Sequence, residues 1–132
     1  MINQQTMTTL TSVKSDIVVE TQYGKVRGAA HNDLTIWKGI PYARPPAGEL
    51  RFRPPQSPAS WAGVRDALEF GVTAPQLPGV MGNLFGAARL PYGEDCLTLN
   101  VWSPAADDAR RPVLVWIHGG SFLTGSGATP WY

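Results

Sequence analysis

The run Val113-Leu114-Val115-Trp116-Ile117 leads directly into His118-Gly119-Gly120-Ser121-Phe122, and further glycines follow at Gly125 and Gly127. An unbroken apolar run, mostly β-branched or aromatic, predicts a strand buried on both faces, of the kind found inside a mixed or parallel sheet. Glycines at the end of such a strand permit φ > 0 and leave no side chain between a ligand and the backbone N–H groups. The fold must therefore bury a strand here and present a backbone turn at its end.

Strand-then-glycine is also how phosphate loops begin. Gly120 and Gly125 have the spacing of the P-loop glycines, but Ser126 and Gly127 stand where Lys and Ser/Thr are required. The chain contains no G-x-G-x-x-G, so the dinucleotide fingerprint is missing as well. An HGG-type motif after a central strand suits instead an oxyanion loop, whose amides donate to a tetrahedral intermediate. The plainer alternative is a tight turn whose glycines serve geometry alone.

Composition narrows the classes. The 11 basic and 10 acidic residues are scattered and leave a net charge of +1, which suggests neither a nucleic-acid face nor a membrane patch. Met1 to Asp16 is polar and rich in Thr and Ser, without the apolar core of a signal peptide. It reads as a flexible leader on a cytoplasmic protein, with residues 17–132 forming the folded part. Cys96 is the lone cysteine, so no internal disulfide can form. Of the 132 residues, 26 are glycine or proline, and no segment keeps a 3.6-residue apolar period, so strands and loops should dominate. Parallel strands buried on both faces need covering helices. Their absence makes the chain read as the opening part of a larger domain, stopping inside a loop at Trp131-Tyr132.

Short strands are predicted at Ile17–Thr21 and Lys25–Gly28 around a hairpin at Gln22-Tyr23-Gly24, and at Leu34–Ile40 after the turn at His31-Asn32-Asp33. These should make a small antiparallel sheet. Pro41 to Pro58 holds too many prolines for helix or central strand. Its Tyr42, Phe52 and arginine stems predict an ordered loop packed over the sheet. Val64-Arg65-Asp66 is a short extended piece. Gln76 to Gly93 reads as a long lid or binding loop. Leu97 to Trp102 alternates and predicts a strand joined antiparallel to the Val113 strand by the connection Ser103 to Pro112.

Several stretches together resemble the type-B carboxylesterases, the family of cholinesterases and bacterial p-nitrobenzyl esterases. They are Tyr23-Gly24-Lys25-Val26-Arg27-Gly28, Gly39-Ile40-Pro41-Tyr42-Ala43, Pro45-Pro46 through Leu50-Arg51-Phe52, Glu94-Asp95-Cys96-Leu97-Thr98-Leu99-Asn100-Val101, and Trp116-Ile117-His118-Gly119-Gly120. The resemblance runs in family order from about Ile17 to Tyr132. It implies the N-terminal part of an α/β-hydrolase fold, with a mixed, mostly parallel sheet when complete. It also implies hydrolysis of small-molecule carboxylic esters by a Ser–His–acid triad, without metal or cofactor.

Carried onto this chain, the resemblance assigns oxyanion donors to the backbone N–H groups of Gly120 and Ser121, with Gly119 shaping the loop. Many relatives have Gly or Ala where Ser121 stands, a change that a backbone donor survives. Phe122 would line the pocket or be an ordinary core aromatic. The triad order is Ser, acid, His, and no G-x-S-x-G occurs here, so His118 is expected to brace the loop and His31 to sit in a surface turn. Arg51 and Glu94 are implied to be a buried ion pair. Cys96, bridged in secreted relatives, would here be an inert buried thiol that leaves the Gln76–Gly93 loop unstapled. The rival readings are a catalytically inactive cholinesterase-like binding protein, which a replaced downstream serine would reveal, and an independent small β-domain that binds a ligand at the glycine loop.

Overall fold

The computed structural model describes residues 16–77 and 91–129. The expected leader up to residue 15, the middle of the Gln76–Gly93 loop and Trp131-Tyr132 lie outside the described residues.

Strands β1 (Asp16–Thr21) and β2 (Gly24–His31) pair antiparallel from Asp16↔Ala29 to Thr21↔Gly24, across the turn Gln22-Tyr23. Thr21 holds this turn. Its hydroxyl donates to the Gly24 carbonyl at 2.7 Å and accepts the Tyr23 N–H at 3.2 Å. Gly24, at φ 143°, lies under Trp61, where a Cβ would sit 2.7 Å from the indole Nε1. That indole N–H donates to the Lys25 carbonyl at 2.8 Å, and the Trp61 amide donates to Tyr23 at 2.9 Å.

Strand β3 (Leu34–Pro41) returns through a turn with Asn32 at φ 53°, a left-handed conformation that asparagine tolerates. β2 and β3 stay paired only over Ala29–His31. Beyond that they diverge, and β4 (Val64–Asp66) enters parallel to β2, from Lys25↔Val64 to Arg27↔Asp66. Ala67 bridges the gap, donating its N–H to Arg27 at 2.8 Å and accepting from the Lys38 N–H at 2.7 Å. Asp66 also binds the Arg27 guanidinium, with Nε at 2.6 Å. Val26, Trp37 and Ala67 form the buried core, flanked by Ile17, Val19, Ile40 and Trp61. Burying Val26 completely contributes about 1.5–3 kcal/mol.

Strand β5 (Thr98–Ser103) adds antiparallel to the far edge of β3, giving the order β1-β2-β3-β5 with β4 alongside β2. The pairing shifts register between Trp37 and Ile40, and Gly39 takes φ 66° there. Among the named strands of the described residues, only β2 and β4 pair in parallel. Two-residue turns can join antiparallel neighbours, whereas the parallel pair needs the whole excursion from residue 32 to 63.

The proline-rich segment is ordered, with backbone bonds from Tyr42 to Leu97 at 3.1 Å and from Arg44 to Gln56 at 2.9 Å, and a single 3-10 turn at Gly48–Leu50. Its packing differs from the expectation. Ala43 and Pro58 are the buried residues, Tyr42 is exposed and Phe52 is 98% exposed. Phe52 has a cation for a neighbour, the Arg51 guanidinium 5.7 Å from its ring, and not an apolar wall.

The predicted central strand is also corrected. Residues 113–117 run without strand pairing, and even Trp116, the most covered of them, is 67% exposed. A strand exists only through its ladder, and no strand among the described residues hydrogen-bonds to this run. β5 therefore pairs with β3 and not with it. The connection after β5 is held locally by Asp107, which accepts the Ala109 N–H at 3.1 Å and the Arg111 guanidinium, with Nη2 at 2.8 Å.

Candidate functional site

The glycine loop is a tight reversal. Gly120, Ser121 and Phe122 take φ values of 123°, 56° and 61°, and Gly125 takes 106°. Consecutive non-glycine residues in the left-handed region each cost about 1–2 kcal/mol and persist only where neighbours enforce them. Here the Leu123 and Thr124 amides both donate to the Gly120 carbonyl, at 3.0 and 3.1 Å. A Cβ on Gly120 would collide with the Thr124 carbonyl oxygen. The Gly120 and Ser121 N–H groups donate to no acceptor among the described residues.

His118 and Gly125 meet at the neck of the loop. The His118 Nδ1–H donates to the Gly119 carbonyl at 2.9 Å, which fixes that tautomer. A Cβ on Gly125 would lie 2.6 Å from His118 Nδ1 and would strike the Gly119 oxygen. Only glycine permits both the contact and the positive φ at position 125. Phe122 is fully exposed, so it packs in no core here, and it lines neither the hollow beside Lys38 and Phe70 nor the one beside Tyr42 and Leu50.

Three side chains that sequence reasoning did not single out hold the far end of the loop. The Gln76 carboxamide pairs with both backbone groups of Gly125, its Nε2 donating to the carbonyl at 2.9 Å and its Oε1 accepting the N–H at 2.8 Å. Asn100 donates from Nδ2 to the Gly127 carbonyl at 3.2 Å and accepts the Gly39 N–H at 3.0 Å. Thr73 is buried and donates its hydroxyl to Ser126 Oγ at 3.1 Å. Asn100 carried a readable signal, since a carboxamide in the middle of a strand demands partners for both its ends. Gln76 and Thr73, in aperiodic loop sequence, carried none.

Thr73 also closes the base of the Gln76–Gly93 loop. Its N–H donates to Pro91 at 2.8 Å and its carbonyl accepts the Gly93 N–H at 3.0 Å, a parallel bridge where the chain has no disulfide. Arg51 and Glu94 are ion-paired, but their side chains are 56% and 45% exposed, so the pair is not the buried one expected. Cys96 is half-buried. Burial pushes its thiol pKa up, the Asp95 and Glu94 carboxylates add to this, and a backbone hydrogen bond partly opposes it. A surface hollow of about 460 Å³ is walled by residues such as Lys38, Glu69, Phe70 and Asp95. It includes no residue of the glycine loop and is a different region of the surface.

A model of the carboxylesterase family matches residues 15–132. The chain belongs to the carboxylesterase family. It is 48% identical over 117 residues to the phenmedipham hydrolase of Pseudarthrobacter oxydans, covering 87% of this chain and 24% of that protein. With the para-nitrobenzyl esterase of Bacillus subtilis it shares 45% identity over 116 residues, covering 87% of this chain and 23% of the esterase. Among solved structures, a p-nitrobenzyl esterase superposes with a TM-score of 0.80 at 45% identity, covering 87% of this chain and 24% of that one. A Geobacillus stearothermophilus carboxylesterase does so with a TM-score of 0.74 at 52% identity, covering 87% and 22%. The chain thus spans about a quarter of the length of these carboxylesterases. Their fold is the α/β-hydrolase fold, and the five-stranded sheet is this chain's part of it. Among the described residues no helix is long and apolar enough to cross a membrane.

Proposed function

We propose that this chain supplies the oxyanion loop of a serine hydrolase acting on small-molecule carboxylic esters, with the nucleophile, acid and catalytic histidine contributed by residues outside these 132. The observation that carries this reading is the pair of adjacent N–H groups at Gly120 and Ser121, without acceptors among the described residues, on a turn that its own glycines and neighbours constrain. A preorganised backbone donor stabilises the developing oxyanion without reorganising during the reaction. Membership of the carboxylesterase family supports the ester as substrate class.

In this mechanism the substrate carbonyl oxygen gains charge as the serine attacks, and the two amides take it up together with a donor that follows the nucleophile. Ser121 contributes its backbone and not its hydroxyl. His118 braces the loop through its Nδ1–H bond to the Gly119 carbonyl, and the triad order of Ser, acid, His assigns proton transfer to a histidine that follows the nucleophile.

The test is Gly120→Val in the full-length protein. A Cβ there meets the Thr124 carbonyl, so the turn must open and the donors must move. With p-nitrophenyl acetate, kcat should fall by about 10²–10³-fold, as for loss of an oxyanion donor, with KM changing much less. A folded variant with near-normal kcat would remove this loop from the mechanism.

A further inference from the structure

We propose that Gln76 and Asn100 are positioning residues for catalysis, holding the glycine loop so that the Gly120 and Ser121 N–H groups stay aligned. This rests on the oxyanion reading above and adds to it the parts that set the geometry.

Gln76 imitates a backbone partner. By engaging the N–H and the carbonyl of Gly125 together, its carboxamide fixes the orientation of the residue that closes the neck against His118. A single hydrogen bond would leave that residue free to swing about the bond; two opposed ones do not. Its Nε2 also donates to Ala74 at 3.1 Å, which holds the side chain itself in place. Asn100 ties the next turn to the sheet. It connects Gly127 to the N–H of Gly39, at the register shift where β3 leaves a backbone donor unpaired by the ladder. The glycine loop is thus tied to the segment before Gln76 by one carboxamide and to the sheet by the other, and the donor and acceptor ends of both have matching partners. Both side chains act through the loop backbone.

The experiment compares Gln76→Ala, Gln76→Glu and Asn100→Ala with Gly120→Val in the full-length protein. Each is assayed for kcat and KM with p-nitrophenyl acetate, and for inhibition by a trifluoromethyl ketone, whose hemiketal oxyanion samples the donors. Loop misplacement should lower kcat about 10- to 100-fold for Gln76→Ala and Asn100→Ala and weaken the ketone by a comparable factor, with KM nearly unchanged. Gln76→Glu keeps the acceptor for the Gly125 N–H but, ionised, sets a charge against the Gly125 carbonyl. Protonation restores a donor, so its kcat relative to the unsubstituted protein at the same pH should rise as pH falls through the carboxyl pKa. This measurement stands even if an alanine variant fails to fold. Unchanged kcat and ketone affinity in the folded Gln76 variants, with kcat lost in Gly120→Val, would overturn the positioning role and leave the oxyanion reading intact. Normal kcat in Gly120→Val would remove the oxyanion reading itself.

Discussion

Single residues in this chain are used for close backbone approach and for charge pairing, and the two differ in energetic weight. Gly120 and Gly125 combine positive φ with contacts no Cβ could occupy, so their identity is dictated by geometry. The Arg51–Glu94 pair is different, because both side chains are about half in water. An exposed pair gains little Coulomb energy and loses side-chain freedom in making it. Its coupling, measured by a double-mutant cycle with alanines in urea melts, should be below about 1 kcal/mol. A coupling of about 3–5 kcal/mol would require the pair to be desolvated in the full-length protein. The family resemblance named these partners correctly. Their exposure depends on the chain that packs around them, which neither residue type reveals.

At the scale of elements, the divergence of β2 from β3 organises the sheet. Gly28 allows it: a Cβ there would sit 2.6 Å from Trp37 Cδ1, so the indole lies directly on the strand backbone. Gly39 then turns β3 past Glu69, whose carbonyl would be 2.7 Å from a Cβ at that position. Gly39→Ala should therefore cost more than Gly48→Ala. Both have positive φ, 66° and 55°, but Gly48 faces open space. We expect about 1–2 kcal/mol for the conformational strain alone at Gly48 and a further 1–3 kcal/mol, roughly, for overpacking at Gly39. Equal losses in urea melts would mean that the Glu69 contact relaxes freely. β5 carries a related lesson. Its alternation announced a strand, yet the apolar Leu99 and Val101 are 40% and 38% exposed, while Asn100 on the opposite face is the residue tied to both Gly39 and Gly127. Period two signals a strand without saying which face is covered.

For the whole molecule, the run at 113–117 and Leu123 leave a large apolar surface in water. Five consecutive apolar side chains left in water promote association. The 132-residue polypeptide expressed by itself should therefore bind an environment-sensitive apolar dye, self-associate in sedimentation, and hydrolyse p-nitrophenyl acetate no faster than buffer. A monodisperse, dye-silent polypeptide with phosphonate-sensitive turnover would contradict this. What the sequence determined alone was local: five strands with their turns, the glycine loop and the family to which they belong. Alternation, turn residues such as Asn32 and the spacing of motifs depend on near neighbours in the chain, and can be read there. Only the tertiary structure decided that β4 enters beside β2, that Gln76 and Asn100 hold the glycine loop, and that residues 113–117 form no strand with the described sheet. Hydrogen-bond ladders and carboxamide partners join residues 27 to 61 positions apart in these cases. No window of local sequence contains both halves of such a bond.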